Sequence, residues 1–177
     1  MNQKSAHVIA ATGLIAGAVF GMTGSFVSSA SLRTLAWGID GIGLIVASSL
    51  LTIYYFRQAS DMTAAGFLIF AIGQGLILAS SGTDINATIS IFGAGTGLWA
   101  AALLVISLQK TYPVFIRCTG VLAAVLFAIV AVENFTGNPA NALSKPLPFF
   151  AYPALVITIL GWAWTIGKQA LSKNRTS

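Results

Sequence analysis

The chain alternates between long apolar runs and short polar connections. Six runs of roughly 20 residues carry little or no charge, at about 8–27, 35–56, 62–81, 87–108, 113–132 and 149–167. About 20 residues at 1.5 Å each span the roughly 30 Å of bilayer hydrocarbon. Barrel strands would alternate in and out over about 10 residues, whereas these runs are continuously apolar and twice as long. The pattern predicts an all-α polytopic bundle of six transmembrane helices, forming a single domain over 1–177.

The first run is compared with a secretory signal, because Lys4 precedes it and Ser28-Ser29-Ala30 loosely fits a small-residue cleavage site. A signal's apolar region is usually about 7–15 residues. This run is longer and carries Gly13, Gly17 and Gly21 at packing spacing, so it is expected to remain a span. Short segments also recur. Ala11-Thr12-Gly13-Leu14-Ile15, Ala64-Ala65-Gly66-Phe67-Leu68 and Cys118-Thr119-Gly120-Val121-Leu122 open the odd runs. Gly41-Ile42-Gly43-Leu44 and Gly95-Thr96-Gly97-Leu98 recur in the second and fourth. Three tandem hairpins would produce this, and so would chance within the small alphabet of apolar helices.

Composition removes most alternatives. With 56% hydrophobic and only 7% charged residues, the chain lacks the roughly 25% charge of a soluble domain. It also lacks the low hydrophobicity of a disordered one. One cysteine, Cys118, cannot form an intrachain disulfide. One histidine, His7, cannot alone build a zinc, haem or two-histidine site, so neither metal nor cofactor is expected.

The distribution of cations sets the expected orientation. Seven of the nine, Lys4, Arg57, Lys110, Arg117, Lys168, Lys173 and Arg175, fall on the side of the N-terminus, and only Arg33 and Lys145 fall opposite. Lys and Arg are retained in cytoplasmic loops, so both termini are expected in the cytoplasm of a bacterial inner membrane. The net charge of +5 then points to anionic lipid as partner rather than to nucleic acid.

In lipid, helices associate through close backbone contact at small residues and through hydrogen bonds. Gly13, Gly17 and Gly21 form one such ridge, and Gly93, Gly97 and Ala101 a second. Each serves either packing within the chain or a homo-oligomer or partner seam. Gly93-Ala94-Gly95-Thr96-Gly97 lacks the preceding strand that a nucleotide loop requires.

Ionisable groups inside the bilayer are costly, and each is a functional candidate by default. Asp40 stands about five residues inside the second run, and Arg33, seven residues earlier, is placed for an ion pair two turns away. Glu133 closes the fifth run, and with Asp40 and Asp84 it puts three of the four acids on one side. Arg117, early in the fifth run, is expected to snorkel to lipid phosphate. Gln74, in mid-run between Gly73 and Gly75, needs a hydrogen-bond partner there. Trp99, also in mid-run, stands apart from the interfacial belts to which Trp37, Tyr152 and the remaining aromatics are assigned, and it can wall a pocket. The one long connection, 134–148, carries Asn138-Pro139 and Lys145-Pro146-Leu147-Pro148 and reads equally as a lid or a tether.

The ligand-binding candidates are therefore Asp40, Glu133, Gln74, Trp99 and Arg33, with no catalytic motif among them. The expectation is a non-enzymatic membrane protein that binds or transports a small or apolar ligand, or serves as an accessory subunit. The alternative is a membrane enzyme acting on a lipid or isoprenoid, with Asp40 and Glu133 as acid and base.

Overall fold

The computed structural model describes residues 3–81, 88–145 and 147–172. They form six α-helices: α1 Gln3–Phe26, α2 Ala30–Arg57, α3 Asp61–Ser81, α4 Ile89–Leu108, α5 Val114–Phe135 and α6 Leu147–Ser172. All six are long and apolar enough to cross a membrane, and no strand occurs among the described residues. The protein is an all-α integral membrane bundle.

The helices overrun the apolar stretches. α1 begins at Gln3 rather than 8, α2 at Ala30 rather than 35, and α6 ends at Ser172 rather than 167. Hydropathy marks only the part of a helix that meets hydrocarbon, while the backbone stays helical into the wet interface. Ser28-Ser29-Ala30 serves as a helix start, with Ser29 Oγ accepting the Leu32 N–H at 3.5 Å as the N-cap of α2.

Each helix packs on its neighbours in sequence, and α6 returns to α1, which closes a ring of three successive hairpins. Leu35, Ile42, Leu68, Leu122, Ile129 and Trp164 are among the large apolar side chains on its outside, where lipid would meet them. The start of α1 and the end of α6 mark the terminal end of the ring, and the opposite end is the distal one.

Both glycine ridges lie inside the ring wall. A Cβ on Gly13 would lie 2.7 Å from the Gly43 carbonyl oxygen, and one on Gly17 would meet Leu44, so the first ridge is the seam between α1 and α2. A Cβ on Gly93 would lie 2.8 Å from Asn134 Cβ, and Gly97 faces Ala131, so the second is the seam between α4 and α5. Ala101, one turn further along the helix, is exposed.

The terminal half is filled by aromatic side chains. Tyr55 stacks on Phe67 at 5.6 Å, Phe67 meets Trp162 edge-on at 5.0 Å, Trp162 meets Phe70 at 5.7 Å, and Phe70 stacks on Trp99 at 5.6 Å. Offset and edge-to-face pairs of this kind add about 0.5–1.5 kcal/mol each beyond their burial. Hydroxyl pairs tie α2 and α3 to the connection between α4 and α5 beside this column. Tyr55 Oη and Tyr112 Oη are 2.8 Å apart, and Thr63 Oγ1 and Thr111 Oγ1 are 3.1 Å apart. Burial holds the Tyr112 phenol, in the connection from α4 to α5, well above its ordinary pKa.

Two arginines serve helix ends. Arg33 Nη2 donates to the Val27 carbonyl at 2.9 Å and to that of Ser28 at 3.5 Å, just past the end of α1. Its guanidinium also sits 5.9 Å from the centre of the Trp37 ring. No ion pair with Asp40 forms among the described residues, because the tight turn from α1 to α2 brings exposed carbonyls nearer to this cation than the carboxylate two turns away. Arg117 repeats the arrangement on α4, with Nε donating to the Ser107 carbonyl at 2.8 Å and Nη2 to that of Leu108 at 3.4 Å. The expected reach to lipid phosphate is replaced by unsatisfied carbonyls at a helix C-terminus, which attract cations.

Candidate functional site

Above the aromatic column the ring does not close on itself. A cavity of about 50 Å³ lies in the distal half, lined from α1, α2, α3, α4 and α6 and from Ala142 of the last connection. On that scale one water needs roughly 10–15 Å³, so the space takes a few waters or a compact molecule. Trp99 and Tyr152 continue the aromatic contacts to this level, each meeting Phe127 edge-on, at 5.1 Å and 5.8 Å.

Asp40 reaches the cavity from α2 because α1 gives way opposite it. A Cβ on Gly21 would lie 3.1 Å from the Asp40 carboxyl carbon, and one on Gly17 would lie 3.2 Å from Oδ1. Two glycines one turn apart thus leave bare backbone against the carboxylate, which any larger residue would crowd. Asp40 is only 8% exposed. Gln74 lines the cavity from α3, and its Oε1 is buried with no partner. Trp99 Nε1 is likewise buried with no partner. Tyr152, on α6, lines the same cavity. Buried polar atoms are paired in nearly all proteins, so two orphans lining one cavity amount to an unmet hydrogen-bonding demand.

Three of the five candidate residues, Asp40, Gln74 and Trp99, meet in this cavity. Arg33 does not line it and serves the end of α1 instead. Glu133 lies apart, at the end of α5, in an open hollow of about 430 Å³ shared with Asn138, Ser144, Lys145 and Pro148. Asp84 falls outside the described residues. Trp37 and Tyr152, assigned from sequence to interfacial belts, both line the cavity. Trp37 carries a legible signal, since it precedes Asp40 by three residues and so shares its helical face. Tyr152 carries none, because only ring closure brings α6 beside α2's partners.

The last connection is drawn over the distal end. Asn134 Oδ1 accepts the Ala140 N–H at 2.6 Å, Gly137 takes a φ of +93°, and Ala140 is buried with Phe92 and Val130. Thr88 Oγ1 donates to the Ser80 carbonyl at 2.8 Å, joining α3 to the start of α4 beside the same opening.

On the lipid side, a groove of about 500 Å³ runs between α1 and α6. Ala18, Met22 and Val156 line both this groove and the cavity. These three side chains are common to both walls.

Among the described residues no group of three or more His, Cys, Asp or Glu side chains is arranged to hold a metal. Comparison of the chain with protein-family models, with curated proteins and with solved structures gives no match in any of the three.

Proposed function

We propose that this is a non-enzymatic protein of the bacterial inner membrane, with both termini cytoplasmic, that binds or transports a small, largely apolar ligand in the distal cavity. The observation that carries the reading is the meeting of Asp40, Gln74 and Trp99 around open space, with Gln74 Oε1 and Trp99 Nε1 left unpartnered. Folding has ordered these groups without satisfying them, and a ligand or ordered water would do so. Acid–base catalysis by Asp40 with Glu133 is disfavoured, since Glu133 lines a separate hollow and two such groups must converge on one substrate.

Native mass spectrometry of the protein, gently released from detergent, tests the reading. The expected result is a small-molecule adduct that is lost in Trp99→Ala. A second protein chain retained at fixed stoichiometry, with no small-molecule adduct, would instead support an accessory subunit. The orientation is tested separately in a Cys118→Ser background with a membrane-impermeant thiol reagent on intact cells. Lys145→Cys should label and Lys4→Cys should not, and the reverse pattern overturns it.

A further inference from the structure

The charge inventory of the cavity narrows the ligand class, given the ligand-binding reading above. Asp40 is the one ionisable carboxyl on the wall, and no lysine, arginine or histidine lines it among the described residues. The nearest cation along the helix, Arg33, is bound to the Val27 and Ser28 carbonyls. A buried carboxylate without a counter-charge is strongly disfavoured, so Asp40 calls for neutralisation, by a proton or by a cationic group of whatever enters the cavity.

The chemistry of the wall decides which cation suits it. A metal ion requires several oxygen or nitrogen ligands, whereas here one carboxylate and one amide oxygen are joined only by neutral hydroxyls, those of Ser80, Ser81 and Thr88 already donating to backbone carbonyls, and face a wall of Trp37, Trp99, Tyr152 and Phe92. Aromatic rings beside a carboxylate are the surroundings that organic ammonium groups favour, through cation–π attraction combined with charge-assisted hydrogen bonds. An ammonium offers up to three donors, and the Asp40 carboxylate and the orphaned Gln74 Oε1 supply acceptors for them. Gly17 and Gly21 hold space beside the carboxylate, and the limited volume excludes a bulky body.

We propose that the distal cavity binds an organic cation, an ammonium head on a compact apolar body, with the head seated on Asp40 and Gln74 and the body against Trp37, Trp99 and Tyr152.

The test titrates the purified protein in mild detergent at neutral pH with two probes of nearly the same shape. Benzylamine is protonated there and benzyl alcohol is neutral. Binding is read from tryptophan emission, since Trp37 and Trp99 line the site, and from the shift in melting temperature. The expected result is saturable binding of benzylammonium about tenfold or more tighter than that of benzyl alcohol, with the preference abolished in Asp40→Asn. Equal affinity for the two probes overturns the cationic class while leaving a neutral-ligand cavity standing, as does a preference that survives Asp40→Asn. Binding of neither probe overturns this inference, and an absent adduct in the mass-spectrometric experiment overturns the reading beneath it. Should Asp40→Asn fail to fold, the comparison of probes in the unaltered protein decides, supported by Gln74→Met, which should weaken the ammonium more than the alcohol.

Discussion

The terminal and distal halves of the ring are built from the same helices but solve the problem of the interior in opposite ways. In the terminal half Phe67, Phe70 and Trp162 fill the axis, and polar groups of α2 and α3 meet those of the α4–α5 connection as the Tyr55–Tyr112 and Thr63–Thr111 pairs. Where a polar atom there is orphaned, as Ser107 Oγ is, it is pressed against Gly120 with no room for anything else. In the distal half the orphans Gln74 Oε1 and Trp99 Nε1 belong to side chains that line the cavity. The contrast separates two meanings of an unsatisfied group. Without space it is a packing compromise, and on the wall of a cavity it is a group that the proposed ligand would meet.

The largest effect is expected where the contrast is sharpest. Trp162→Ala, in the filled half, should lower stability by about 3–5 kcal/mol, seen as a large drop in melting temperature. A small drop would mean that the column fills space without holding the helices. Next comes Gly17→Leu, which sets a side chain against Leu44 and Asp40 and should destabilise by about 1–3 kcal/mol. An unchanged melt would remove the α1–α2 seam as a structural element. A smaller loss, about 1 kcal/mol, is expected for Tyr55→Phe and for Tyr112→Phe. Their double mutant should lose less than the sum, because the two hydroxyls bond to each other. Smallest of all, Asp40→Asn in the ligand-free protein should leave the melting temperature unchanged or slightly raised, since an unpaired buried charge is removed. Combined with Arg33→Gln its effect should be additive, because the two side chains serve different partners. Strong coupling in that cycle would restore the ion pair expected from their spacing.

What was legible in the sequence follows from which interactions are local. Six spans, and the singular positions Asp40, Gln74 and Trp99, stand out because each polar or bulky group interrupts an apolar run. The fate of Arg33 was not legible, since spacing on an ideal helix offered Asp40 while the three-residue turn at 27–29 supplied carbonyls closer at hand. Nor was the separation of Glu133 from Asp40, because sharing an end of the bundle does not mean sharing its axis. The roles of the two glycine ridges were open until the facing residues, Gly43, Leu44, Asn134 and Ala131, were known.

The wall of Ala18, Met22 and Val156, shared by the cavity and the groove between α1 and α6, bears on the concentration at which the proposed ligand would reach the cavity. A solute that crosses that wall is drawn from the hydrocarbon, where its activity is the aqueous value multiplied by its partition coefficient. At about 0.8 kcal/mol per methylene transferred, two added methylenes enrich the solute in the membrane roughly tenfold. Apparent affinity measured from water would then rise with chain length until the cavity is full and fall beyond that length, while affinity referred to the bilayer stays level up to the same point.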